Sequence, residues 1–187
     1  MHRFKARSGD VSSSSSRKGN WVCWRVPSVG LKMNTDGSCV LGNSQRGGVV
    51  QDNNGLVYLV FSPIFGLGTS LQAEDMAMLT GLMLCRKKVL DISKVETDSM
   101  IFHSALKGYG DPPWSICYVI KKCQSILNSN VHVPHTWREG KKVADYMASV
   151  DFTSMVEVFL HSIGNIMLEG INFIKWDALM LYYFRPP

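Results

Sequence analysis

The sequence predicts an α/β domain in which helices cover both faces of a mixed β-sheet. Three observations carry this reading. Short apolar runs joined by a turn signal occupy residues 29–61, a long stretch of helical period follows from Ala73, and strand-like and helix-like segments then alternate as far as Ala148. A hairpin unit followed by strand–helix alternation gives a mixed sheet with helices packed against it.

The elements follow in order. From Val29, Leu31, Met33 and Thr35 alternate with Lys32, Asn34 and Asp36, the period of two that marks a strand. Gly47–Gln51 and Leu56–Phe61 are two further short runs, and Asp52-Asn53-Asn54-Gly55 between them is a strong hairpin signal. Ala73, Met76, Ala77, Thr80 and Leu84 then recur at helical spacing. Thr69 and Gln72 are spaced for a capping box at the start of this helix, and Arg86, Lys87 and Lys88 suit the negative end of its dipole. Lys94–Thr97 reads as a short buried strand and Ser99–Tyr109 as a short helix. Asp111-Pro112-Pro113 opens a helix that runs through Ile116, Val119, Ile120, Cys123 and Leu127. Asn130–Trp137 is strand-like, and Pro134, which has no N–H for a ladder, places it at a sheet edge. A last helix begins near Gly140 and carries Val143, Asp145, Met147 and Ala148.

The two ends read differently. Residues 1–20 contain an unbroken serine run, Ser12 to Ser16, and too little apolar surface to offset ordering entropy, so a disordered basic tail is expected. Its Arg3, Lys5, Arg7, Arg17 and Lys18 stand against Asp10 alone and supply +4 of the chain's formal +5. Overall charge is therefore no argument for a basic binding surface on the domain. The acid-poor opening also fits an organelle transit peptide, which leaves the compartment open among nucleus, cytoplasm and organelle. In residues 151–187, Phe152, Met155, Val156, Phe159 and Ile163 fit one face of a helix, and Ile171–Phe184 is largely apolar. A C-terminal apolar extension that packs as helix is expected. No stretch reaches the roughly 20 apolar residues of a membrane span, so no membrane partner is expected. Cys23, Cys39, Cys85, Cys117 and Cys123 form neither a Cys-x-x-Cys pair nor a zinc spacing, and their odd number argues for reduced thiols. No Gly-x-Gly-x-x-Gly loop is present, which disfavours a dinucleotide-binding enzyme.

Four acids carry the chemistry: Asp36 in Asn34-Thr35-Asp36-Gly37-Ser38, Glu74 in Gln72-Ala73-Glu74, Asp98 in Glu96-Thr97-Asp98-Ser99, and Asp145 in Val143-Ala144-Asp145. Each alone also fits a bland role: a turn Asp before Gly, a dipole-favoured Glu, an N-cap pair, a solvent-facing helical Asp. Together, in this order and each on its own kind of element, they resemble the ribonuclease H family over Trp24 to Ser149. The resemblance is greatest to the ribonuclease-H-like domains of plant genomes related to retroelement reverse transcriptases.

That resemblance implies a ribonuclease H-like domain over residues 21–150 with a five-stranded sheet in the order 3-2-1-4-5. It implies Asp36, Glu74, Asp98 and Asp145 as catalytic residues and as ligands of two Mg2+ ions, with Mn2+ as a substitute. The implied partner is an RNA–DNA hybrid whose RNA strand is cut endonucleolytically by a monomeric protein. Gly37, Ser38, Asn43, Ser70, Ser99 and Arg138 are the implied substrate contacts, with Gly37 letting a phosphate or metal approach the backbone. The chemistry fits such a donor set: magnesium takes hard oxygen ligands, and clustered carboxylates without cations repel one another and raise their own pKa values.

The chain also departs from the family. Ser70 and Leu71 stand where many members have asparagine, and the glycine-rich loop carrying a mobile histidine is missing, leaving His135 a structural role. Lys141 replaces the usual asparagine ahead of the last helix, which costs that helix a cap. These departures support an alternative, a nucleic-acid-binding domain of retroelement origin with little or no catalysis.

Overall fold

The computed structural model describes residues 20–149, 156–159, 168–179 and 182–185. The tail expected over residues 1–20 lies outside these except for Asn20, as do Phe152, Met155 and Ile163. The elements are β1 (Asn20–Cys23), β2 (Leu31–Val40), β3 (Asn43–Gln51), β4 (Val57–Ser62), β5 (Ile64–Leu67), α1 (Ser70–Lys87), β6 (Ile92–Glu96), α2 (Met100–Leu106), α3 (Trp114–Ile126), a 3-10 turn (Arg138–Lys141), α4 (Lys142–Ser149), β7 (Val156–Phe159), α5 (Leu168–Ala178) and β8 (Tyr182–Arg185). The main sheet runs β6-β2-β3-β4-β7 with β5 on β3, and β1 and β8 form a separate two-stranded ribbon.

Local chemistry accounts for the elements that position the site. Leu41 and Gly42 join β2 to β3 with φ of 50° and 83°, and a two-residue primed turn needs positive φ at both places. The turn therefore lies five residues beyond Asp36. Asp36, expected at a strand end, sits inside β2 opposite Gly47. At the next hairpin, Asp52 Oδ1 accepts from the Asn54 N–H at 2.8 Å and the Leu56 N–H at 2.9 Å, and Gly55 takes φ of 75°. α1 starts with the expected capping box, in which Gln72 N–H donates to Thr69 Oγ1 at 3.2 Å and Thr69 N–H to Gln72 Oε1 at 3.0 Å. β6 joins β2 in parallel and delivers the chain to Asp98.

Two expectations need correcting. Asn130–Trp137 does not form a fifth strand: it contacts the β6 edge through two isolated parallel bridges, Lys94 with His132 and Thr97 with His135. Pro134 interrupts donation between them, although its carbonyl accepts from Thr97 N–H at 3.4 Å. Val156–Phe159 is strand β7, not helix, and pairs antiparallel with β4. Val-Glu-Val-Phe fits a period of two as well as a helix face, and the free edge of β4 supplies backbone partners. Further along the same extension Leu168–Ala178 is helix α5, and Tyr182–Arg185 is strand β8 rather than helix.

Strand alternation divides the core between two faces. Met33, Val50, Leu59 and Phe61 pack with Met78 and Leu82 of α1 and with Ile116 and Ile120 of α3. Val49, Val57 and Val60 face the other way, against Val143 and Met147 of α4 and Ile171 and Phe173 of α5. Each fully buried side chain of this kind contributes roughly 1.5–3 kcal/mol before entropy is counted. β2 is therefore covered on both sides, and the polar residues of its α4 face, Lys32, Asn34 and Asp36, are as buried as its apolar ones.

Candidate active site

Asp36, Glu74 and Asp98 come from β2, α1 and the loop after β6. Each offers a carboxylate oxygen, and the three oxygens lie within 4.8 Å of one another. Two glycines allow this convergence. A Cβ on Gly37 would lie 2.1 Å from Glu74 N and 2.3 Å from Ala73 C, so the bare backbone of β2 lets α1 come close enough to set Glu74 beside Asp36. On the other face a Cβ on Gly47 would lie 2.3 Å from Ala148 N, so α4 presses on β3 in the same way. Gly37 thus admits the helix. Glu74 lies just past the first turn of α1.

The fourth acid is held apart from the triad. Asp145 Oδ1 accepts from Arg138 Nε at 2.9 Å and also from Arg138 Nη2, and Lys142 Nζ lies 3.8 Å from Oδ2. Arg138 also reaches to 3.7 Å from Asp36 Oδ2 and so links the two acids, with its own side chain 60% exposed at the rim.

Lys141, expected to be a poor helix cap, has another place. Its side chain is 1% exposed, and its ammonium donates to Thr35 O at 2.7 Å, Asp36 Oδ1 at 3.2 Å and Asp98 Oδ1 at 2.5 Å. All three donors of the ammonium are used. Burial pulls the Lys141 pKa down, but Asp36 and Asp98 outweigh it and hold the group above the usual lysine range, fully charged.

Even with this cation present, the cluster is short of positive charge. Burial, with Asp98 and Asp145 adding repulsion and Lys141 opposing, pushes Asp36 up to about 6. Burial and the neighbouring Asp98 push Glu74 up to about 7. Asp36 Oδ2 is buried without a hydrogen-bond partner among the described residues. A hard divalent cation fits this donor set of carboxylate oxygens, one of which has no hydrogen-bond partner.

The remaining expected contacts are dispersed. Ser38 Oγ donates to the Ala148 carbonyl and ties β2 to α4. Ser99 is the N-cap of α2, its Oγ accepting from Phe102 N–H at 3.2 Å. Ser70 is exposed at the start of α1, and Asn43 is exposed beside the β2–β3 turn. His135 Nε2 lies 3.1 Å from the Asp98 carbonyl, a supporting role for the Asp98 loop.

Sequence reasoning also missed a second buried network beside the triad. Lys32 is 0% exposed and lies 4.3 Å over the Trp24 ring; its Nζ donates to Arg25 O at 2.7 Å and pairs with Glu96 at 2.9 Å. Asn34 Nδ2 donates to Glu96 Oε2 at 2.9 Å, and Lys94 Nζ lies 2.8 Å from Oε1. This cross-link between β2 and β6 fixes the strand that leads to Asp98. The available signal was Lys32 and Asn34 in alternation on a strand that also carries Asp36. A hollow of about 840 Å3 borders this network, between Trp21, Arg25, Lys94, Glu96 and Trp137, and none of the three clustered acids lines it.

Parallel β6 beside a β2–β3–β4 meander, α1 and α4 on opposite faces and carboxylates at their junction define a ribonuclease H fold. Solved structures agree: the ribonuclease H1 of Halobacterium salinarum NRC-1 matches with a TM-score of 0.57 at 19% identity, over 63% of this chain and 93% of its own. The ribonuclease H1 named LC11, crystallised with an RNA/DNA hybrid, matches with a TM-score of 0.56 at 23% identity, over 63% and 92%. The chain belongs to the reverse transcriptase-like family, matching it over residues 34–150. An Arabidopsis thaliana protein that carries the name of ribonuclease H is 28% identical over 184 residues, 94% of this chain. The chain spans 29% of that protein's length.

Proposed function

We propose that this chain is a metal-dependent endonuclease that cuts the RNA strand of RNA–DNA hybrids, with Asp36, Glu74 and Asp98 holding the cations and Asp145 completing the set. The observation that carries this is the convergence of three carboxylates from three separate elements around a buried Asp36 oxygen that has no hydrogen-bond partner among the described residues. The likeness to a ribonuclease H1 crystallised with an RNA/DNA hybrid supports the choice of substrate.

What two magnesium or manganese ions supply in such a site is activation of water at neutral pH and neutralisation of the departing 3′ oxygen. The chain's own residues prepare for this. Asp36 is fixed by the β2–β3 ladder, Glu74 by the contact of α1 with Gly37, and Asp98 by the β6 cross-link and the His135 contact. Arg138, exposed at the rim and paired with Asp145, is placed to exchange that partner for a substrate phosphate. Glu74, a member of the triad, is the group expected to meet the 2′-hydroxyl that distinguishes RNA from DNA.

A second reading, nucleic-acid binding with little turnover, is favoured by one observation, the Lys141 ammonium inside the cluster. The test is cleavage of an end-labelled hybrid by the purified protein with and without magnesium. The proposal expects magnesium-dependent products ending in 3′-hydroxyl and 5′-phosphate. Retarded but uncut hybrid at every magnesium concentration would select the second reading.

A further inference from the structure

We propose that Lys141 is a tethered cation that occupies the carboxylate site in the metal-free protein and must be displaced for a divalent ion to bind. This inference rests on the metal-site reading above. Three features support it. The ammonium is buried and fully hydrogen-bonded, two of its three donors going to carboxylates of the proposed ligand set, Asp36 and Asp98. The third goes to the backbone carbonyl of Thr35, so the group is anchored at the strand as well as to the acids. Finally, the cation arrives on the 3-10 turn immediately before the helix that carries Asp145, so its position is set by the fold and not by a flexible surface stem.

A single charge does not satisfy the whole cluster: Asp36 Oδ2 has no hydrogen-bond partner among the described residues and only the Arg138 guanidinium, 3.7 Å away, as an ion-pair partner. An ammonium and a divalent ion sharing the oxygens of Asp36 and Asp98 repel strongly in so buried a place. Metal entry therefore requires Lys141 Nζ to leave, and metal affinity is lowered by the stability of its ion pairs. The chain thus keeps its carboxylates folded together without metal, yet engages metal only when the ion is abundant.

Direct metal binding tests this without reference to cleavage. Free Mn2+ is measured by electron paramagnetic resonance in titrations of the full-length protein and of Lys141→Met, Lys141→Arg and Asp36→Asn. Lys141→Met should bind Mn2+ about tenfold or more tightly than the parent, because no charge remains to be displaced. Lys141→Arg should gain nothing, and Asp36→Asn should lose binding. Equal affinity of the parent and Lys141→Met overturns the inference and leaves the metal-site reading standing. No binding by either at millimolar Mn2+ overturns both. A measurement on the unaltered protein covers the case in which Lys141→Met does not fold without metal: acetylation of Lys141 read by mass spectrometry. Lys141 should be protected in chelator and become reactive in saturating Mg2+, whereas equal protection in both rules out displacement.

Discussion

Gly37→Ala probes how the site is assembled, because one methyl group separates packing from chemistry. The new Cβ would lie 2.1 Å from Glu74 N, 2.3 Å from Ala73 C and 2.7 Å from Glu74 Cα, all backbone atoms of α1 that no side-chain rotation can move. The helix must retreat by roughly 1 Å, which overpacks the β2–α1 contact at a cost of about 1–3 kcal/mol. For a chain of this size that is a fall of about 2–12 °C in melting temperature. The same retreat draws Glu74 away from Asp36 and Asp98, and a misplacement near 1 Å costs about 100-fold in rate. Gly81→Ala is the control. There the Cβ meets Met33 Sδ at 2.6 Å and Phe61 Cζ at 2.9 Å, side-chain ends that can yield, away from the acids. Thermal unfolding and hybrid cleavage per folded molecule separate the two: both variants lose stability, and only Gly37→Ala loses rate. A Gly37→Ala protein with parental melting temperature and parental cleavage would refute the account of how Glu74 is positioned.

Other predictions concern charge. Asp75 is buried on α1 with neither carboxylate oxygen hydrogen-bonded among the described residues, and burial, with Glu74 nearby, pushes it up to about 7. Asp75→Asn should therefore raise the melting temperature near pH 8 and have less effect near pH 5, where the acid is already protonated. Asp36, Glu74 and Asp75 all titrate above their ordinary range, so between about pH 4 and pH 7 the native state holds more protons than the unfolded one. Metal-free protein should lose stability as pH rises through that window; a melting temperature that climbs from pH 5 to pH 7 would contradict these shifts. Removing residues 1–20 deletes Arg3, Lys5, Arg7, Arg17 and Lys18. Hybrid affinity should then fall at low salt and its salt dependence flatten, since fewer counterions are released, with cleavage at saturating substrate unchanged. Equal salt slopes would place binding wholly on the domain.

The parts of this fold legible in the sequence are those governed by local chemistry. The capping box of α1, the Asp52–Gly55 hairpin and the period-two run of β2 each depend on residues a few positions apart. The convergence of Asp36, Glu74 and Asp98 was legible only through their order and contexts, because spacing along the chain does not encode a meeting of three elements. Lys141 was misread for the same reason. Locally it is a lysine where a helix wants a cap, and only the folded chain shows its ammonium 105 residues away from the Asp36 it pairs with. Lys32 shows in the sequence only as part of the period-two run of β2; both faces of that strand are covered and Glu96 supplies its charge partner. The strand at Val156–Phe159 depends on an open edge of β4, which no local pattern reveals.

In the proposed function the carboxylate cluster around Asp36 is a divalent-metal site that cuts RNA in a hybrid. The most direct measurement is the rate of cleavage of a hybrid labelled in its RNA strand, taken across a magnesium series for the parent and for Asp36→Asn. The substitution keeps the shape of the side chain and removes one charge from the site. The account predicts magnesium-dependent cleavage by the parent and a loss of several powers of ten in the variant. Cleavage by Asp36→Asn at the parental rate, with the same magnesium dependence, would contradict it.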